Sequence, residues 1–146
     1  MGGKLKVYVA GMFFTKELRK AQATELRASG ITVTSRWLDE SVPHTVTMKD
    51  VPDKYHEETA QADLEDIDNA DILIAFVPTD SELTQVSIAT ASRGGRHVEM
   101  GYALGKNKQI FVVGPKENIF HHMPYGVTHF DSFMKLKLYL ERMYHE

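Results

Sequence analysis

The most apolar run in the chain, Ile72 to Val77, constrains the fold more than any other stretch. A strand with no polar side must be covered on both faces, as the central strand of a parallel sheet is. The flanking segments read the same way. Lys4 to Ala10 is apolar and β-branched and ends in Gly11, Gln109 to Val113 is a second buried run closed by Gly114-Pro115, and Val127 to Phe130 is a short last strand. Ile31 to Trp37 alternates apolar and polar residues, as an edge strand does. Helical periodicity fills the gaps. Thr15 to Ser29 carries a half-apolar face of Leu18, Ala21, Gln22, Glu25 and Leu26 and stops at Gly30. Lys54 to Asn69 places Ala60, Asp63, Leu64 and Ile67 on its inner face, a third helix covers 96 to 104, and Asp131 caps a last one through Tyr144. Strands alternating with helices predict the α/β class. The architecture is a doubly wound five-stranded parallel sheet, flavodoxin-like or Rossmann-like, in a single domain over residues 1–146.

A chain of 146 residues supports one domain with a real core. Its apolar share of 42% and charged share of 25% are those of a globular protein in water. The formal charge of −3 leaves no basic stripe for a phosphate backbone, which argues against a nucleic-acid polymer as partner, while a small anionic substrate stays possible. The absence of cysteine excludes disulfides, thiol catalysis and thiolate metal sites. The start, Met-Gly-Gly-Lys-Leu-Lys, has no secretory apolar region and no run reaches membrane-spanning length, so a cytoplasmic location is expected.

Chemistry concentrates in residues 92 to 105, Ser-Arg-Gly-Gly-Arg-His-Val-Glu-Met-Gly-Tyr-Ala-Leu-Gly. The order strand, polar loop, Gly-Gly, helix puts this turn at the carboxyl edge of the sheet, where ligands of such sheets bind. Gly94 and Gly95 let backbone approach a ligand, and the free N–H groups of the helix start attract anions. A helix start near Arg96 places Glu99 in the first turn, where the helix field favours the ionised carboxylate by roughly 0.3–1 kcal/mol. Glu99 is then either a helix cap or a catalytic group; the shared face with Tyr102 and Ala103 favours the second. Arg93, Arg96 and His97 crowd the turn, as anion ligands or as solvated surface charge. Asp63, an acid on the apolar side of its helix, is either functional or hydrogen-bonded to a neighbouring loop. The polar loop 38–53 is a candidate flap. Adjacent His121 and His122 lack a third ligand at metal spacing and read as surface or interface residues, so no metal and no cofactor is expected.

These residues together resemble the nucleoside 2-deoxyribosyltransferase family and its relatives that hydrolyse nucleoside 5'-monophosphates. Val7-Tyr8-Val9-Ala10-Gly11 is similar to the first strand, whose tyrosine orients the nucleophile, and Gly11 and Phe13 then border the substrate. Asp63-Leu64 with Ile67 and Ala70-Asp71 resembles the segment supplying the acid. Gly95 with Glu99 to Gly105 resembles the segment carrying the nucleophilic glutamate. His121 to Gly126 resembles a loop that a neighbouring subunit lends to the site, which implies a homodimer or larger assembly with His121 and Met123 near substrate. The resemblance implies a Glu99 nucleophile, an Asp63 that handles the proton or a sugar hydroxyl, and a Tyr8 that holds Glu99. It further implies cleavage of an N-glycosidic bond, released to a second base or to water. One departure stands out: the transferases have an aspartate six residues before the glutamate, where this chain has Arg93. Ser92, Arg93, Gly94, Gly95, Arg96 and His97 fit a 5'-phosphate better. The competing readings are a nucleotide-binding sensor or sequestering protein without turnover, and an NAD glycohydrolase.

Overall fold

A computed structural model describes residues 4–39, 52–84 and 94–144. Strands β1 (Lys6–Ala10), β2 (Thr32–Val33), β3 (Ile72–Phe76), β4 (Gln109–Val113) and β5 (Val127–Phe130) form one parallel sheet in the order β2-β1-β3-β4-β5. Helices α1 (Lys16–Ala28), α2 (Asp53–Asp68), α3 (Asp80–Leu83), α4 (Gly95–Gly105) and α5 (Phe133–Tyr144) make the connections and cover the faces. The chain winds outward from β1 to β2, then returns to β3 and winds the other way. The reversal falls between β1 and β3, and the crevice at their carboxyl ends is where an open sheet of this order holds ligands. The doubly wound five-stranded sheet expected from the sequence is the one observed, with Ile72–Phe76 central and buried at all five positions.

Four local expectations are corrected. The edge strand β2 has two residues rather than seven, because the side chains of Ser35 and Trp37 take over the pairing of β1. The inner face of α1 is Lys16, Arg19, Ala23 and Leu26, while Leu18 is 45% exposed. On α2 the buried residues are Asp66 and Ile67, and Ala60 is exposed. At α5 it is Ser132 Oγ that accepts the amide of Lys135, 3.2 Å away, and Asp131 pairs with the Lys135 ammonium at 3.0 Å. Of the expected flap at 38–53, residues 38–39 end a 3-10 turn and Asp53 opens α2, while 40–51 and the stretch 85–93 lie outside the described residues.

Gly114 closes β4 for a steric reason. Its φ is +110°, and a Cβ there would sit 2.5 Å from the Val77 carbonyl oxygen, so no side chain fits where β3 and β4 end together. No helix among the described residues is long and apolar enough to cross a membrane.

Candidate active site

Tyr8, Asp63 and Glu99 come from three separate elements and meet behind the carboxyl edge. Tyr8 lies near the end of β1 and is fully buried. Its neighbours Val7 and Val9 face the other side of the sheet by strand alternation, leaving the phenol on the side of α2 and α4. The Tyr8 hydroxyl donates to Glu99 Oε2 at 2.7 Å across 91 residues of sequence. Asp63, on α2, is hydrogen-bonded to the same Glu99 carboxyl. The helices are stitched beyond this point by Tyr102, whose hydroxyl donates to Asp68 Oδ1 at 2.9 Å, and by Lys108, whose ammonium reaches the Asp68 carbonyl at 3.0 Å.

Glu99 sits in the second turn of α4, not the first, because the helix opens at Gly95 and no acid occupies its first turn. The helix field is weaker there, and burial dominates. It pushes the Glu99 carboxyl up from 4.5 to about 8; the Tyr8 hydrogen bond pulls it down, and the charge and hydrogen bond of Asp63 push it up. The expected resting carboxylate is therefore corrected to a carboxyl that keeps its proton near neutrality. Two carboxyls in hydrogen-bond contact need a proton between them, since two negative charges repel strongly where water is scarce. Tyr8 itself is driven far above the usual phenol range, first by burial and then by Glu99 and Asp63, so it serves only as a donor.

Among the described residues nothing crowds a Cβ placed at either glycine of the turn. Gly94 caps α4 with φ +104°, a left-handed backbone that disfavours side chains. Arg96 is committed already. Its guanidinium grips Glu117 in bidentate fashion, at 2.6 and 2.9 Å, and only 11% of the side chain is exposed. His97 lies 3.4 Å from the same carboxylate, and its pKa is lowered, by burial first and then by Arg96. Gly11 ends β1 beside Arg19, and Phe13 opens a 3-10 turn at Phe13–Thr15. Met123 packs against the core. Ser92 and Arg93 lie outside the described residues.

His121 differs from its expected surface position. It is 2% exposed, and its Nδ1 accepts the Glu117 backbone amide at 2.9 Å, so the ring braces its own chain. Burial holds it below the usual histidine range. Exposed side chains of this loop are instead Ile119, Phe120 and Tyr125, at 76%, 54% and 83%.

Sequence reasoning missed Arg19. This residue is 4% exposed, lies 4.4 Å over the Phe76 ring, bonds Gln22 Oε1 at 3.1 Å and approaches Glu82 at 3.5 Å. Burial lowers its pKa, Glu82 opposes that, and the charge of Arg96 adds to it. The stripe 16, 19, 23, 26 was the available signal: it has helical spacing, and a long basic side chain can bury its stem as an apolar residue does.

Fold and site together define a doubly wound α/β protein with a phenol-braced carboxyl pair at its topological switch point. The family model described as Nucleoside 2-deoxyribosyltransferase matches residues 7–136, and the chain belongs to that family. Among solved structures it is similar to a CMP N-glycosidase of Clostridium botulinum, BcmB, at 18% identity, covering 94% of this chain and 98% of that one with a TM-score of 0.57. It is also similar to a 2-deoxyribosyltransferase of Bacillus psychrosaccharolyticus, at 22% identity, 90% coverage of both chains and a TM-score of 0.60. A search among curated proteins found no match. Membership supports an enzyme acting on the N-glycosidic bond of a nucleoside or nucleotide.

Proposed function

We propose that this protein, as a single cytoplasmic domain, cleaves the N-glycosidic bond of (deoxy)nucleosides or nucleoside 5'-monophosphates through a covalent sugar–Glu99 intermediate. The observation that carries the reading is the half-buried carboxyl of Glu99, held by the Tyr8 hydroxyl at 2.7 Å and in contact with Asp63. One proton between the carboxyls suits both halves of the reaction. When it resides on Asp63, Glu99 is free to attack the anomeric carbon as that carbon becomes oxocarbenium-like. The carbon–nitrogen bond breaks, its electron pair leaves with the base, and the base takes the Asp63 proton. A second base, or water, then attacks the sugar ester, passes its proton to Asp63 and frees Glu99 as the carboxylate. Tyr8 donates to Glu99 throughout and keeps it in line. No cofactor takes part in this scheme.

The Gly94-Gly95 turn at the start of α4 suits a 5'-phosphate, and the departure at Arg93 favours a monophosphate over a free nucleoside. Arg96 and His97 would act with Glu117 as a preformed charge group beside it. The two similar structures, one a glycosidase and one a transferase, support release to water and release to a base alike. A homodimer or larger assembly is proposed as well, with Ile119, Phe120 and Tyr125 as the side chains that meet a second copy.

Incubation with a panel of nucleosides and monophosphates, with and without an acceptor base, tests the activity and assigns its class by chromatography. Base release from at least one substrate is expected, and Glu99→Ala should slow it by about three orders of magnitude or more. Full release by Glu99→Ala removes Glu99 from the reaction, and nucleotides that bind while no member of the panel is cut overturn the reading and leave a nucleotide-binding protein.

A further inference from the structure

Residues 34–37 hold a group of contacts, buried at Ser35 and Trp37 and partly exposed at Arg36, that touch no proposed substrate and converge on the two elements carrying Tyr8 and Asp63. Past Val7, β1 has lost its outer neighbour: β2 pairs only Lys6 with Thr32 and Val7 with Val33, and Thr34 adds one bond to the Val7 carbonyl at 2.8 Å. Val9, the residue after Tyr8, would have an unpaired N–H and C=O on that side. Two side chains stand in for the missing strand. Ser35 Oγ accepts the Val9 amide at 2.6 Å, and Trp37 Nε1 donates to the Val9 carbonyl at 2.7 Å. Ser35 is 1% and Trp37 7% exposed, so neither bond is open to exchange with water.

Arg36, between them, turns the other way, to α2. Its backbone amide and its Nε donate to the two oxygens of Asp66, at 2.9 and 2.8 Å. The Thr34 hydroxyl donates to the Asp66 backbone carbonyl at 2.8 Å. Asp66 is one helical turn from Asp63, so the acid that touches Glu99 shares its turn of α2 with the anchor.

We propose that Ser35, Arg36, Trp37 and Asp66 form a positioning clamp, which fixes the end of β1 to one turn of α2 and thereby sets the Tyr8 hydroxyl and the Asp63 carboxyl around Glu99. A clamp of this kind matters because hydrogen-bond geometry is unforgiving: a displacement of about 1 Å can cost about a hundredfold in rate. The inference rests on the reading that Tyr8, Asp63 and Glu99 do the chemistry.

The two arms of the clamp act on Glu99 with opposite sign, which separates positioning from plain stability. Trp37→Phe keeps the ring but removes the donor to Val9, loosening the strand of Tyr8, whose bond holds the Glu99 carboxyl down. Asp66→Asn keeps the shape but can accept only one of the two Arg36 donors, loosening the turn of Asp63, whose contact holds Glu99 up. Carbon-13 NMR titration of the glutamate carboxyls, with Glu99→Gln to assign the signal, should show Glu99 titrating higher in Trp37→Phe and lower in Asp66→Asn. Each variant should also lose roughly tenfold in kcat with KM within about twofold of the parent. Arg36→Lys keeps a cation for Asp66 without the fork and should shift Glu99 the same way as Asp66→Asn by a smaller amount; it decides the α2 arm if Asp66→Asn does not fold. Folded variants in which Glu99 titrates as in the parent, or moves in one direction for both arms, overturn the clamp. If the parent releases base from no substrate, the proposed function fails while the titration still decides the clamp.

Discussion

Asp63 and Asp66 lie one turn apart on α2 and meet opposite partners. Asp66, 4% exposed, receives a guanidinium and an amide from Arg36, one on each oxygen. Asp63 receives another carboxyl, Glu99, beneath a buried phenol. The first arrangement is at rest, since a buried carboxylate facing a cation and a backbone donor has its needs met. The second is poised, because two carboxyls in contact must hold a proton between them and give it up when a charge arrives. Burial therefore does not mark the proposed acid on this helix: the better buried of the two is the proposed anchor. The partner marks it.

The largest break in the comparison comes from Asp63→Asn, which leaves only the resting acid of the pair. Base release should fall roughly a hundredfold or more, the usual weight of a lost proton donor. Glu99 should titrate closer to an ordinary carboxyl, because both the charge and the hydrogen bond of Asp63 hold it up. Single-turnover rates across pH measure both effects, and a rate that stays at the parent's removes Asp63 from the reaction. A smaller break is Tyr8→Phe, with a loss of about tenfold in kcat for one missing hydrogen bond to a charged group. The pH limb should now move the other way, to higher pH, since the Tyr8 bond is what pulls Glu99 down. Limbs that move together in the two variants would mean that the carboxyl they report is not Glu99.

The sheet was legible because each strand carries its own apolar run, and the central place of Ile72 to Val77 follows from its lack of a polar face. Tyr8 was legible only through the family resemblance, and Glu99 also through its place behind the glycine turn; nothing in a separation of 91 residues says that they touch. What stayed hidden was polar burial. The inner face of α2 was drawn through Ala60, yet Asp66 turns inward, and there it meets Arg36, a residue of the stretch that alternation had assigned to an edge strand. Arg19 was hidden in the same way, by the Phe76 ring and the Glu82 carboxylate that make its burial tolerable. His121 read as a surface residue because its partner is a backbone amide, which no side-chain pattern records. Periodicity assumes that charge faces water, and each of these residues has a partner that removes the need.

The comparison also predicts opposite signs of stability for the same chemical change. In the folded chain Glu99 keeps its proton up to about pH 8, whereas its ordinary value is 4.5. Between those values the folded chain binds more protons than the unfolded one, so the contribution of Glu99 to stability falls as pH rises from 4.5 to about 8. Above that window the fold carries an ionised, largely desolvated carboxylate at full cost. Glu99→Gln cannot ionise, and its amide can still accept from Tyr8 and donate to Asp63. The variant should melt above the parent at pH 9, by an amount worth about 1–3 kcal/mol, with the difference closing on acidification below the ordinary glutamate range. Asp66→Asn makes the equivalent neutral substitution one turn from Asp63 and should do the reverse, lowering the melting temperature because asparagine offers one oxygen where Asp66 offers two to Arg36. Thermal melts of both variants beside the parent from pH 4 to pH 9 read the two signs directly, and a Glu99→Gln gain that ignores pH would mean the carboxyl is ionised at rest and the proton shared with Asp63 does not exist.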